Sequence, residues 1–321
     1  MGIIPIVMAF DEKYAMPACV TVYSALRSKK EKTLYAFYFL VRTSMPIDVI
    51  EKFDKFVELY PGTEIEFAIV GERLDDAFIS RHISKESYYR LLIPELFPKL
   101  DKCLYLDVDL IICDDLTELW NYEIGNNLLA GVKNKECGKK RYRAVGISSP
   151  DQYISAGVLI FNLKAIRDEN LTSRFLKLVT QGYEYHDQDI LNKECNKRIK
   201  YLPLKYNIPL CEITNNKLLK TNYLQSEIED AISNPVIIHY IGREKPWNIH
   251  DDYAFLLHLW YQAALESPYQ YDHIAQNILI GRHDNTLIQT ASDARNTLSY
   301  KIGSIITFIP RVLMKLFKGL K

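Results

Sequence analysis

The chain has 321 residues, 48% of them hydrophobic, enough for a substantial globular core in one large domain or two small ones. Forty basic and forty acidic residues cancel, which argues against the whole-protein positive field of a nucleic-acid-binding protein. Six scattered cysteines (Cys19, Cys103, Cys113, Cys137, Cys195 and Cys211) form no C-x-x-C pair and predict reduced thiols, not a disulfide frame or a zinc site.

The opening segment has no basic n-region and reaches Asp11 too soon for a secretory leader, and Ile6 breaks the myristoylation pattern after Gly2. A cytosolic protein is expected. Apolar, β-rich runs at 3–10, 34–41 and 64–70 alternate with helical patterns at 17–28 and 47–60. Such alternation predicts βαβ units and a mostly parallel sheet. Further strands are expected at 102–106, 128–132 and 158–162, and helices at 85–96, 171–181 and 187–196. In sheets of this kind ligands bind beyond the carboxyl ends of the strands, where Asp11 and Asp107 would sit.

The strand at 102–106 runs into Asp107-Val-Asp109. Residues i and i+2 of an extended segment project to one side, so both carboxylates can face one cation. A second D-x-D, Asp187-Gln188-Asp189, opens a helical pattern, where acids also suit the helix dipole. No G-x-G-x-x-G follows the first strand and no P-loop occurs, which disfavours dehydrogenase and P-loop chemistry. A divalent ion on Asp107 and Asp109 could hold a diphosphate in their place.

Beyond about residue 250 the pattern becomes helical, and after Asp293 it is basic without acids. After Pro310, residues Val312, Leu313, Leu316, Phe317 and Leu320 form one stripe, with Arg311, Lys315 and Lys318 on another. This is an amphipathic basic helix suited to an anionic membrane surface, or a C-terminal helix packed on the core.

Four ordered segments carry a family resemblance: Phe10-Asp11-Glu12-Lys13-Tyr14, Tyr105-Leu106-Asp107-Val108-Asp109, Asp187-Gln188-Asp189-Ile190-Leu191, and His239 through Trp247 in an H-x-x-G-x-x-K-P-W pattern. Their order and spacing resemble the retaining family 8 glycosyltransferases, over roughly residues 3–265. The resemblance implies an α/β fold of GT-A type, one Rossmann-like nucleotide-binding domain with a mostly parallel sheet at 1–265. A helical, basic C-terminal extension would follow at 266–321, associating with membrane or acceptor.

The resemblance implies an Mn²⁺-dependent hexosyltransferase that moves galactose or glucose from a UDP-sugar to a glycan, glycolipid or glycoprotein acceptor with retention. Asp107, Asp109 and His239 would hold Mn²⁺, with Mg²⁺ the alternative ion, since hard oxygens suit both and an imidazole favours Mn²⁺. Ala9, Asp11 and Tyr14 would form the uridine edge. Arg90, Val108, Asn134, Ser155 and Ala156 would line the donor, and Gly242 and Lys245 would face its phosphates.

Among the implied catalytic residues, Asp187 and Gln188 would border the sugar, with Gln188 near the anomeric carbon and Asp189 the neighbouring carboxylate. His82 is a weaker match to an acceptor-bordering segment. Two departures bear on the hexose: Ser155-Ala156-Gly157 replaces a usual N-A-G, and Asn134 replaces an aspartate. The expected location is cytoplasmic, peripheral on the inner face of the cell membrane. The rival readings are a non-catalytic nucleotide-sugar-binding protein and a D-x-D phosphohydrolase.

Overall fold

The computed structural model describes residues 2–80, 84–134, 139–210, 223–242, 245–247 and 257–269. Its strands are β1 (Ile4–Ala9), β2 (Tyr35–Val41), β3 (Glu64–Ile69), β4 (Lys102–Leu106), β5 (Leu110–Ile112), β6 (Leu129–Lys133), β7 (Ile154–Asn162), β8 (Ile199–Leu202), β9 (Ile208–Pro209) and β10 (Ile237–His239). Seven of them form one sheet in the order β3-β2-β1-β4-β7-β6-β8, in which β7 alone runs antiparallel to its neighbours. The expected mostly parallel α/β sheet is present.

All six residues of β1 are buried, as expected for a strand covered on both faces. Alternate residues serve opposite faces: Ile6 and Met8 join one apolar cluster, Val7 and Ala9 the other. The edge strand β3 instead exposes Glu64 and Glu66, charges that discourage pairing with another chain. Chain order reverses between β1 and β4, so the crevice beyond their carboxyl ends is a topological switch point. Asp11 and Asp107 follow those two ends.

Several elements differ from expectation. Residues 85–96 form a long 3₁₀ turn (Lys85–Leu92) before a short α-helix (Ile93–Leu96). Pro94 has no N–H for the Arg90 carbonyl, which accepts from Ile93 in the tighter i→i+3 pattern. The helix expected at 171–181 ends at Leu176, after which Val179 gives its carbonyl to the Phe78 N–H. Strand β7 starts at Ile154, before the expected 158, and the helix Lys139–Ala144 and strand β8 were not anticipated.

A second, three-stranded sheet, β5-β10-β9, lies beside the first. The helix Leu257–Glu266 packs on the helix Ala15–Ser28, with Glu266 accepting from both Tyr23 and Arg27 and Trp260 fully buried. Its last residue lies just past the boundary expected at 265. Cys19, Cys103, Cys113 and Cys195 are free thiols, and Cys137 and Cys211 lie outside the described residues. The basic tail and His82 also lie outside them. Among the described residues no helix is long and apolar enough to cross a membrane.

Candidate active site

One register assembles the central cluster. The chain leaves β4 at Leu106, turns through Asp107-Val108-Asp109 and re-enters as β5, which pairs antiparallel with β10 so that Leu110 faces His239. The Tyr240 N–H then donates to the Asp109 carbonyl at 3.0 Å. Asp107, Asp109 and His239 thereby offer two carboxylate oxygens and one imidazole nitrogen, all within 4.8 Å of one another. His239 Nε2 lies 3.0 Å from Asp109 Oδ1 and 3.9 Å from Asp107 Oδ2. An octahedral ion with bonds of about 2.1 Å needs neighbouring ligands about 3 Å apart, so this donor set fits a divalent cation.

Three residues hold the cluster, of which the sequence marks only Gly157, and that as part of the Ser155-Ala156-Gly157 segment. Thr21, buried on the helix Ala15–Ser28, has its hydroxyl 2.9 Å from both the Val108 and Leu110 carbonyls and so clamps the turn between the aspartates. Asn207 Oδ1 lies 2.9 Å from His239 Nδ1. With Nδ1–H donating to it, the Nε2 lone pair faces the carboxylates, the arrangement usual for a metal-binding histidine. Gly157 accepts the Asp107 N–H through its carbonyl at 2.8 Å and leaves the space the other two ligands occupy. A Cβ there would lie 2.2 Å from His239 Cε1 and 2.9 Å from Asp107 Oδ2.

Lys245 adds a cation, 2.5 Å from Asp109 Oδ2 and 2.8 Å from the Tyr240 carbonyl. Burial acts to raise the Asp109 pKa, but the Lys245 ammonium, joined by His239 when its imidazole is protonated, outweighs it and holds the carboxyl well below its usual range. Gly242 has a φ of 105°, a conformation that glycine adopts without strain. Tyr14 packs edge-on against Trp247, with ring centroids 5.8 Å apart, and Trp247 rests on Trp260. Asp11 caps the short turn after β1 by accepting the Tyr14 N–H at 3.0 Å. Ala9 ends β1 and is buried.

The remaining candidates gather along β7. Leu106, the last residue of β4, pairs with Val158, so residues 154–157 of β7 run past the end of their neighbour. Side chains replace the missing strand: Asn192 brackets Ile154, accepting its N–H at 2.8 Å and donating to its carbonyl at 2.9 Å. Gln188 Oε1 accepts the Ala156 N–H at 2.9 Å, and Arg90 donates to the Ala156 carbonyl at 2.5 Å. Ser155 is buried in the same stretch, and Asn134 donates its N–H to the Tyr153 carbonyl.

Arg90 is a buried bridge. Its guanidinium meets Asp107 at 2.9 Å and Asp187 at 3.0 Å, and it lies over the Tyr105 ring. Burial raises the Asp187 carboxyl to about 6, against the opposing pull of Arg90. Asp189 is enclosed, accepting from Arg141, from the Tyr153 hydroxyl and from the Tyr185 N–H. The two D-x-D pairs thus differ. Asp107 and Asp109 are partly exposed beside His239, whereas Asp187 and Asp189 are buried against arginines.

Comparison with known proteins places this geometry. A family profile described as glycosyl transferase family 8 matches residues 5–251. The lipopolysaccharide 1,3-galactosyltransferase of Salmonella typhimurium is 25% identical over 281 residues, covering 83% of this chain and 79% of its own. A lipopolysaccharide 1,2-glucosyltransferase of Escherichia coli is 28% identical over 252 residues, covering 76% of this chain and 73% of its own. The solved galactosyltransferase LgtC, in complex with donor and acceptor sugar analogs, superposes with a TM-score of 0.72 at 25% identity, covering 85% of this chain and 100% of that one.

Proposed function

The chain belongs to glycosyltransferase family 8, and we propose that it moves galactose or glucose from a UDP-sugar to a glycan acceptor with retention of configuration. The observation that carries this reading is the Asp107, Asp109 and His239 cluster at the switch point, with Lys245 on one side and Arg90 on the other. The lipopolysaccharide glycosyltransferases among its relatives favour a cell-surface glycolipid as acceptor over a glycoprotein.

Asp107, Asp109 and His239 would hold Mn²⁺, with Mg²⁺ as the alternative. When bound, the ion supplies Lewis-acid stabilisation of the charge that develops on the departing UDP. Lys245 brings a second positive charge to the diphosphate, and Gly242 allows its main chain close to the phosphates. Arg90 holds Asp107 and Asp187 in place beneath the donor. Tyr14, Asp11 and Ala9 receive the uridine, and Val108 the ribose side of the crevice. Asn134, Ser155 and Ala156 border the hexose.

Gln188 presents its half-buried carboxamide beside the sugar. A glutamine is a poor nucleophile, so a same-face transfer, in which the leaving phosphate oxygen takes the acceptor proton, suits this site better than a covalent intermediate. Residues 1–265 form the proposed catalytic unit. The basic tail is the proposed contact with the inner face of the membrane, on the strength of its sequence pattern.

The test is UDP release from UDP-glucose and UDP-galactose with Mn²⁺ or Mg²⁺, with the product anomer read by NMR. Asp109→Ala is expected to abolish turnover and metal-dependent UDP binding together. Unchanged activity in that variant refutes the metal assignment. Tight UDP binding with no transfer to any acceptor would instead favour a nucleotide-sugar-binding protein.

A further inference from the structure

Resting on the reading of Gln188 as the residue beside the sugar, we propose that Arg141, Tyr153 and Asp189 form a positioning relay that fixes which way the Gln188 carboxamide points. A primary amide is nearly symmetric in shape, so packing alone does not choose between its two orientations. Its hydrogen-bond partners must choose. Oε1 of Gln188 faces the Ala156 N–H, which can only donate. Nε2 faces the Tyr153 hydroxyl at 3.1 Å, a group able to donate or accept.

The tyrosine therefore carries information only if its own proton is directed elsewhere. Asp189 supplies that direction: its Oδ1 lies 2.5 Å from the hydroxyl and takes the proton. Burial keeps the Tyr153 phenol protonated far above the usual tyrosine range, with the Asp189 charge adding to it against the opposing pull of Arg141. Arg141 completes the relay, donating to Asp189 Oδ1 at 3.1 Å and also to the Tyr153 oxygen, with its guanidinium over the Tyr153 ring. The hydroxyl, with its hydrogen spent on Asp189, is left as an acceptor toward Gln188. A flipped amide would set Nε2 against the Ala156 N–H and Oε1 against an oxygen with no hydrogen to give.

All three relay residues are buried: Arg141 is 7% exposed, Tyr153 0% and Asp189 2%. They come from three separate segments, the helix Lys139–Ala144, the residue before β7 and the helix His186–Glu194. Asp189 acts through Tyr153 and is a positioning residue, with both its oxygens already engaged.

Tyr153→Phe and Asp189→Asn test the relay, the first by deleting the hydroxyl and the second by letting a side-chain amide donate to it and reverse its rotor. Both are expected to lower kcat for UDP release at least tenfold while leaving Mn²⁺-dependent binding of UDP, which lacks the hexose, within twofold of wild type. In a Gln188→Ala background, read by single-turnover kinetics at high enzyme concentration, Tyr153→Phe is expected to add less than a further twofold loss. A loss of the same size in both backgrounds, or unimpaired turnover in Tyr153→Phe, overturns the relay. So does a glycosyl ester on Asp189 detected by mass spectrometry. If Tyr153→Phe fails to bind UDP or to melt cooperatively, Asp189→Asn alone carries the same comparison. A wild-type protein that releases UDP from no UDP-hexose overturns the proposed donor and the relay with it. Active wild type beside an unimpaired Tyr153→Phe overturns the relay alone.

Discussion

Gly157→Ala is expected to disable the metal cluster without touching a ligand. The added Cβ would sit 2.2 Å from His239 Cε1, 2.8 Å from its Nδ1 and 2.9 Å from Asp107 Oδ2, whereas ordinary contacts begin near 3.4 Å. The imidazole must therefore retreat by about 1.2 Å, or the strand must bend. Retreat is opposed because His239 is in register with Leu110 on one side and Pro209 on the other, and its ring is tied to Asn207. Metal sites tolerate ligand displacements of about 0.2 Å, so the shift exceeds the tolerance several-fold. The expected outcome is a loss of at least about 100-fold in Mn²⁺-dependent UDP affinity, comparable to or worse than losing an outer-shell partner. Stability should fall by about 1–3 kcal/mol from overpacking.

Isothermal calorimetry of UDP with and without Mn²⁺, beside thermal unfolding, separates the two effects. Gly131→Ala is the matched control. Its Cβ would meet Ile154 Cδ1 at 2.8 Å and Leu159 Cδ2 at 3.0 Å, ends of flexible side chains in the core, and the Ser155 carbonyl at 3.3 Å, a contact relieved by a few tenths of an ångström. It should cost stability and leave metal-dependent UDP binding near wild type. Wild-type affinity in Gly157→Ala would refute the steric argument, and equal losses in both variants would show that the site is only as fragile as the sheet around it.

Asn207→Ala removes the partner of His239 Nδ1 and is expected to weaken Mn²⁺ affinity about 10–100-fold, read by titration of metal against UDP binding. Thr21→Val keeps the shape of the side chain but leaves the Val108 and Leu110 carbonyls without its hydroxyl. A loss of about 1–3 kcal/mol in chemical denaturation is expected, with weaker metal binding, and an unchanged midpoint would contradict the clamp. Burial raises the folded-state pKa of Asp187 to about 6 from an ordinary 3.8. The native state then holds this proton longer than the unfolded chain does, so the contribution is present below pH 4 and is lost as pH rises to 6. Relative to Asp187→Asn, wild type should lose up to about 3 kcal/mol across that window; parallel stability curves would contradict the shift.

The three residues that could hold a metal were legible because two of them stand one residue apart at a strand end and the third opens a segment with its own spacing, H-x-x-G-x-x-K-P-W, although the aspartates sit in a turn and not on the extended segment expected. The supports were not. Thr21 reads as one more residue in an amphipathic helix, and its role needs the carbonyls of a turn far along the chain. Asn207 sits in an unremarkable loop. Asn192, a fully buried amide, went unread in the sequence, and its role is explained only once β7 is seen to outrun β4.

The identical appearance of the two D-x-D pairs shows where local pattern stops. The alternation of apolar strands and helices, with Asp107 placed at a strand end, was enough for a mostly parallel α/β sheet, because side-chain periodicity is a local property. Which carboxylates face a cleft is a question of what covers them. Asp107 and Asp109 emerge at a switch point where the pairing of β5 with β10 brings His239 alongside. Asp187 and Asp189 are closed in by Arg90 and Arg141, residues brought from distant segments by packing. The chain order alone determined which groups were available, and only the tertiary structure decided which charges were paired, because pairing depends on distance in space rather than along the chain.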